Sequence, residues 1–190
     1  MALFRTPRSA YSQAMPESSA PSFSIRVPDG DDRNRRVCDT CGFIDYVNPK
    51  IVVGSVVWAE DKVLLCRRAI EPRRGFWTLP AGFLEERETV EEGAQREARE
   101  EACAELAIEG LLAVYSIPRI SQVQVMFRAR LASPAFAPGP ESLEVRLFAW
   151  EEIPWGELAF PSVKWALDHF AAWRAGAPGP FGNPDGTIYR

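Results

Sequence analysis

The chain has 190 residues, a formal net charge of −4 and 46% hydrophobic residues, which suits one domain with appendages and a real core. That charge implies no general nucleic-acid-binding surface, and no apolar run approaches the roughly 18 residues of a membrane span. Four cysteines, at positions 38, 41, 66 and 103, do not support a secreted disulfide framework.

Residues 1–22 are rich in Ser, Ala and Pro and read as a disordered extension. Met1 to Met15 carries two arginines and no acid. That is the charge pattern of an organelle leader, but the plainer reading is a disordered extension, or a true start at Met15. No long apolar stretch accompanies it, so secretion is not expected and the location is read as cytoplasmic. Residues 23–49 read as a small β-hairpin turning at Pro28-Asp29-Gly30-Asp31, then Cys38-x-x-Cys41-Gly42. That last unit is half of a zinc ribbon. Structural Zn²⁺ takes four ligands. No second cysteine pair lies upstream, and His169, the only histidine, is far away in sequence. The segment is therefore read as a degenerate ribbon. Zinc shared by two chains is the sharper alternative, and a redox pair lacks the helix it would need.

The segment 50–175 carries the main pattern. Ile51 to Ala59 is β-branched and apolar, a buried strand, with Glu60-Asp61-Lys62 as turn and Val63 to Cys66 as its partner. Cys66 and Cys103 read as small buried residues. Arg67, Arg68, Arg73 and Arg74 cluster around a loop. The planar fork of arginine suits phosphate oxygens, so Arg67, Arg68 and Arg73 are candidate substrate contacts, weighed against a plain solvent-exposed loop. Trp77 and Phe76 could stack on a base, although Trp77 also fits a core position. A Leu-Pro-Ala-Gly turn ends at Gly82, where glycine permits close backbone approach.

A helix follows. Thr89 with Glu92 gives the capping-box pattern, and alanines at 94, 98, 102 and 104 favour the helical state. Eight of the 26 acidic residues fall between Glu85 and Glu101. Glu97, Glu100 and Glu101 share one helix face. Like charges so placed repel by a few tenths of a kcal/mol per pair, about 0.2–0.5, unless a cation sits among them. Hard divalent ions, Mg²⁺ with Mn²⁺ as substitute, prefer such oxygen ligands. Arg96 can bridge Glu92 and Glu100. Three more strands follow, roughly 110–116, 122–131 and 143–150, with a Pro-rich run, Pro134 to Pro140, between the last two. A helix from Ser162 to Trp173 shows an apolar stripe, and residues 176–190 read as a coil-like tail.

Gly82, Glu88, Arg96, Glu97, Ala98, Glu100 and Glu101 stand in the register of a Nudix box: Gly, five residues, Glu, seven residues, Arg-Glu, an apolar residue, any residue, Glu-Glu. The chain thus resembles the Nudix hydrolases. Cys103 stands where that pattern has glycine, read as a packing position. The resemblance extends over Asp45–Gly54, Leu64–Pro72, Gly75–Glu85, Phe136–Ser142 and Leu158–Phe160. Those stretches are similar to a subgroup of plant plastid enzymes and bacterial relatives that includes FAD and ADP-ribose pyrophosphatases. The subgroup has an N-terminal Cys₄ ribbon, of which this chain keeps half.

The resemblance implies an α+β fold, an α/β/α sandwich around a mixed sheet. It implies divalent-metal-dependent hydrolysis of a nucleoside diphosphate linked to another group, with FAD or ADP-ribose first and AMP as a product. Metal ligands would come from Glu97, Glu100, Glu101 and the Gly82 backbone. Glu100 and Glu144 are the candidate general bases, and Arg96 and Glu88 are read as orienting groups. Pro118 resembles a proline of ADP-ribose hydrolases, and the longer Ser-Gln-Pro-Trp-Pro-Phe pattern of NADH hydrolases is absent. Hydrolysis of NADH or other dinucleotides is the alternative substrate reading. A non-catalytic nucleotide sensor is the rival class, and the intact box weighs against it. Relatives are often dimers, so a homodimer is the default assembly.

Overall fold

The computed structural model describes residues 21–184, and it divides into two compact units at Asn48 and Pro49. The leader pattern, the extension up to residue 20 and the end of the tail, residues 185–190, lie outside the described residues. Of the rest of the extension, the Ser22 carbonyl accepts Asp39 N–H at 3.0 Å.

The N-terminal unit is a three-stranded antiparallel sheet, β1 (Phe23–Arg26), β2 (Arg35–Cys38) and β3 (Ile44–Asp45), one strand more than a hairpin. Asp31 organises the β1–β2 turn. Its Oδ1 accepts the Asp32 and Arg33 N–H groups at 2.8 and 3.2 Å, and its Oδ2 accepts Arg35 Nε at 2.8 Å. The Arg35 guanidinium holds the Asp31 carboxyl down to about 2. The Cys38-x-x-Cys41-Gly42 turn closes with Gly42 N–H donating to the Cys38 carbonyl at 3.0 Å and Cys38 N–H donating to the Phe43 carbonyl at 2.8 Å. Gly42 has φ +75°, the left-handed region that favours glycine. Backbone N–H groups of Cys41 and Thr40 lower the pKa of the buried Cys38 thiol. The turn is shaped for thiolates, but the unit has two cysteines and no histidine. No cluster of three His, Cys, Asp or Glu side chains among the described residues is placed to hold a metal. This donor set does not fit a four-ligand structural zinc.

The second unit is built on a mixed seven-stranded sheet. Its strands are β4 (Lys50–Ala59), β5 (Lys62–Arg68), β6 (Trp77–Thr78), β7 (Ala81–Phe83), β8 (Leu106–Ile117), β9 (Gln122–Leu131) and β10 (Ser142–Ala149). The main order is β10-β5-β4-β9-β8, with β6 beside β5 and β7 beside β4. The β4–β9 pair is parallel and the others are antiparallel. Helix α1 (Val90–Ala102) covers one face and α2 (Pro161–Arg174) the other. Alternation along β4 makes the division: Val53 and Val57 join the α1-side clusters, and Val56 joins the α2-side core with Trp165, Leu167 and Phe170. Each such fully buried large side chain contributes roughly 1.5–3 kcal/mol.

Strand β8 is longer than its periodicity suggests, because register shifts at Ile108/Gly110 and Leu111/Ala113 break the alternation. Gly110 sits at φ +151°, with the Arg128 guanidinium where a Cβ would lie. The tail is irregular but docked. Phe181 N–H donates to the Leu112 carbonyl at 2.8 Å, and the Phe181 carbonyl accepts Val114 N–H at 2.9 Å. The Phe181 ring stacks on His169 with centroids 4.5 Å apart, and His169 Nδ1 lies 2.8 Å from the Tyr115 hydroxyl. The only histidine is thus spent on holding the tail against β8 and α2.

Candidate active site

Helix α1 begins where its sequence says it should. Thr89 caps it, its hydroxyl accepting Glu92 N–H at 3.2 Å, and the Glu92 carboxylate accepts Thr89 N–H at 2.8 Å. Such a box is worth about 1 kcal/mol. One turn on, Arg96 organises the site. Its Nε and Nη2 grip Glu88 at 3.0 and 2.8 Å, and Nη2 also donates to the Phe83 carbonyl at 2.8 Å. Its Nη1 donates to Glu97 at 2.7 Å and to Glu100 at 2.9 Å. One guanidinium therefore ties the β7 turn, the approach to α1 and two of the three clustered carboxylates. The same pairing holds the Glu88 carboxyl at about 2. Glu92 serves the cap and makes no pair with Arg96 among the bonds found.

Gly82 lies in β7 opposite Val53 of β4. A Cβ at this position would collide with the Glu97 carboxylate. Glycine is needed here so that an acid of α1 can lie against the strand. Next to it, Ala81 N–H donates to Glu101 Oε2 at 3.1 Å. Glu97 and Glu101 are buried, while Glu100 is exposed. Burial pushes the Glu101 carboxyl up to about 8, with the Ala81 N–H opposing and the Glu97 charge adding. Burial also raises Glu97, with Arg96 opposing. Arg96 does not reach Glu101. A buried carboxyl with so high a proton affinity lies beside two further acids. With Glu97 and Glu100 tied to Arg96, the three do not stand as a ready metal cluster among the described residues, and a hard cation would compete with the guanidinium for them.

A cavity of about 850 Å³ opens against these groups. Gly82, Glu97, Glu100, Glu101 and Arg68 all line it. The structure does not bring the remaining sequence candidates there. Trp77 is 6% exposed, a core residue edge-on to Phe148 at 4.8 Å, so it does not stack on a ligand. Arg73 has φ +66° and covers the Phe76 ring. Glu144 pairs across the strands with Arg67, oxygen to nitrogen 3.8 Å, and neither is among the lining residues. The strand register that sets Glu144 opposite Arg67 turns both away from the acidic wall.

The acid that does line the cavity is Glu141, which sequence reasoning passed over. Its position follows from the Pro-rich run. Ala137 N–H donates to the Ala102 carbonyl at 2.9 Å and Gly139 N–H to the Glu101 carbonyl at 3.0 Å, satisfying the open end of α1. A side chain at Gly139 would collide with the Glu100 carbonyl. The run therefore cannot stand off, and Glu141 is delivered beside the box, where its charge raises both Glu97 and Glu101. The available sequence signal is that Phe136 to Ser142 belongs to the family-like stretches.

Cys103 corrects a second reading. It is exposed, and it is the C-cap of α1 at φ +48°, ψ +33°. The family glycine at this position thus answers a left-handed conformation, and a residue with a Cβ there is strained by about 1 kcal/mol.

A sequence profile of the Nudix domain matches residues 48–173, and one of the Nudix N-terminal zinc ribbon matches residues 20–47. A crystal structure of a Nudix hydrolase from Nitrosomonas europaea is 48% identical, with a TM-score of 0.82 over 87% of this chain and 96% of that one. An ADP-ribose pyrophosphatase of Methanocaldococcus jannaschii is 31% identical over 135 residues, 69% of this chain and 78% of that protein. The NAD-capped RNA hydrolase NudC of Stutzerimonas stutzeri is 28% identical over 75% of this chain, which spans 52% of that protein.

Proposed function

The chain belongs to the Nudix hydrolase family, and from that premise we propose that it cleaves the pyrophosphate of an adenosine diphosphate linked to a second group. ADP-ribose is placed first and FAD second. The observation that carries this reading is the continuity of one cavity of about 850 Å³ with the Glu97–Glu100–Glu101 wall. The similarity to an ADP-ribose pyrophosphatase supports the choice of substrate. So does Pro118, which opens the 3₁₀ turn Pro118–Ile120, whose Arg119 and Ile120 line the cavity.

Glu97, Glu100 and Glu101 would hold the divalent cation, Mg²⁺ or Mn²⁺. When bound, it would offset the charge of the diphosphate and make a water molecule a better nucleophile. The protein's own groups do the rest. Arg68, on the cavity wall, meets phosphate oxygens. Arg96 and Glu88 hold the carboxylates in place and touch no substrate. Glu141 accepts the proton of the attacking water, because its side chain has no hydrogen bond or ion pair among the described residues, whereas Glu100 is engaged by Arg96. Attack at one phosphorus gives AMP, with ribose 5-phosphate from ADP-ribose or FMN from FAD.

The test is a panel of ADP-ribose, FAD, NADH, diadenosine polyphosphates and nucleoside triphosphates, assayed with Mg²⁺ and with Mn²⁺. Release of AMP from ADP-ribose at the highest kcat/KM is expected. Activity confined to nucleoside triphosphates would overturn the substrate class. Retention of ligand without turnover would favour the sensor.

A further inference from the structure

The cavity has a second wall that the acidic chemistry does not use. Gln122 and Gln124 stand two residues apart on β9, so both side chains leave the same face of the sheet. That is the α2 face, since Met126, next in the series, belongs to the α2-side core. Both glutamines line the cavity and are half-buried. Neither carboxamide makes a hydrogen bond among the described residues. Their neighbours on the wall are the apolar Ile117, Ile120 and Met126, with Arg119 between the two isoleucines in sequence. Half-buried amides without a protein partner are open to water or to a ligand entering the cavity.

The distance to the acidic wall is set by the sheet. Strands β9 and β7 flank β4, with Val52 paired to Gln124 on one side and Val53 to Gly82 on the other. Two strand spacings separate the backbones of Gln124 and Gly82, roughly 10 Å. The glutamine side chains leave the α2 face and the carboxylates stand on α1, so it is the one cavity lined by both that offers a base and its 5′-diphosphate a continuous site. A carboxamide offers a donor and an acceptor side by side, which matches the 6-amino group and N7 of adenine. The same edge of hypoxanthine presents two acceptors and does not match.

We propose that Gln122 and Gln124 form the adenine subsite, reading the base while the acidic wall handles the diphosphate. The inference rests on the functional reading above, and its test is independent of turnover. AMP and IMP are titrated into the full chain, followed by NMR, with wild type, Gln122→Ala and Gln124→Ala compared. Wild type is expected to bind AMP about tenfold or more tightly than IMP, and each variant to lose most of that preference. Gln122→Ala lies at the first residue of β9, so it keeps the test open should Gln124→Ala fold poorly. Equal binding of AMP and IMP by wild type, or an undiminished preference in the variants, overturns the proposal. Selective AMP binding without hydrolysis of any diphosphate would leave the subsite standing and remove the enzymatic reading instead.

Discussion

On one side of the cavity, Glu97, Glu100 and Glu101 all come from a turn and a half of one helix. On the other side, Gln122 and Gln124 come from β9, Ile117 from the end of β8, Ile120 from the turn between them, and Phe160 and Trp165 from the cap and body of α2. The three acids of the first wall are fixed by spacing along a single α-helix, with Ala81, Gly82, Phe83 and Glu88 just before it holding them in place. The second exists only after β8, β9 and α2 have come together. The two walls are thus assembled by different means within one cavity, and if the proposed roles hold, substitutions on them have different signatures.

The largest expected effect is on the acidic wall. Glu101→Gln should lower kcat/KM by about a thousandfold for every substrate the enzyme accepts. A loss restricted to adenine-bearing substrates would erase the distinction between the walls. Glu141→Gln should cost about a hundredfold or more in kcat, and Glu144→Gln should stay within a few-fold of wild type. The reverse ranking, read from initial rates on ADP-ribose, would return the base to β10.

Smaller effects concern how firmly the helix holds its acids. Glu88 is held at about 2 against an ordinary 4.5. Its folded-state pKa is depressed, so its pairing with Arg96 stabilises the fold fully above pH 4.5, and that stabilisation is lost as pH falls towards 2. Glu88→Gln should therefore lower the melting temperature at pH 7 and flatten its decline on acidification below pH 4.5. An unchanged acid limb in a melting series would show the pairing to be idle. Last, Cys103→Gly relieves the left-handed cap and should stabilise the protein by about 1 kcal/mol in urea unfolding. Destabilisation would mean that the Cys103 side chain makes up for the strain.

The same contrast explains what could be read from the sequence. The box helix, its Thr89 cap and the acidic face are local patterns, and all were legible because i, i+3 and i+4 spacing leaves few alternatives. The strand pair from β4 to β5 and the α2 stripe were legible for the same reason. Glu141 was not, because it reaches the site through two hydrogen bonds between a Pro-rich run and the end of α1, contacts with no local signature. Glu144 was read as a candidate base because it lies on a later strand, and the register that sets it opposite Arg67 is not visible in the sequence. Trp77 had both a stacking and a core reading, and its burial decides for the core. The full length of β8 was hidden by its bulges. Cys103 was misread because a left-handed cap leaves no trace in composition.

The most direct measurement is calorimetric titration of Mn²⁺ into the full-length protein, with wild type, Glu97→Gln and Glu101→Gln compared in the presence of AMP. Saturable binding by wild type, weakened at least about tenfold in each variant, is the predicted result. Absence of saturable binding by wild type, or equal affinity in all three proteins, would contradict a cation held by the α1 carboxylates.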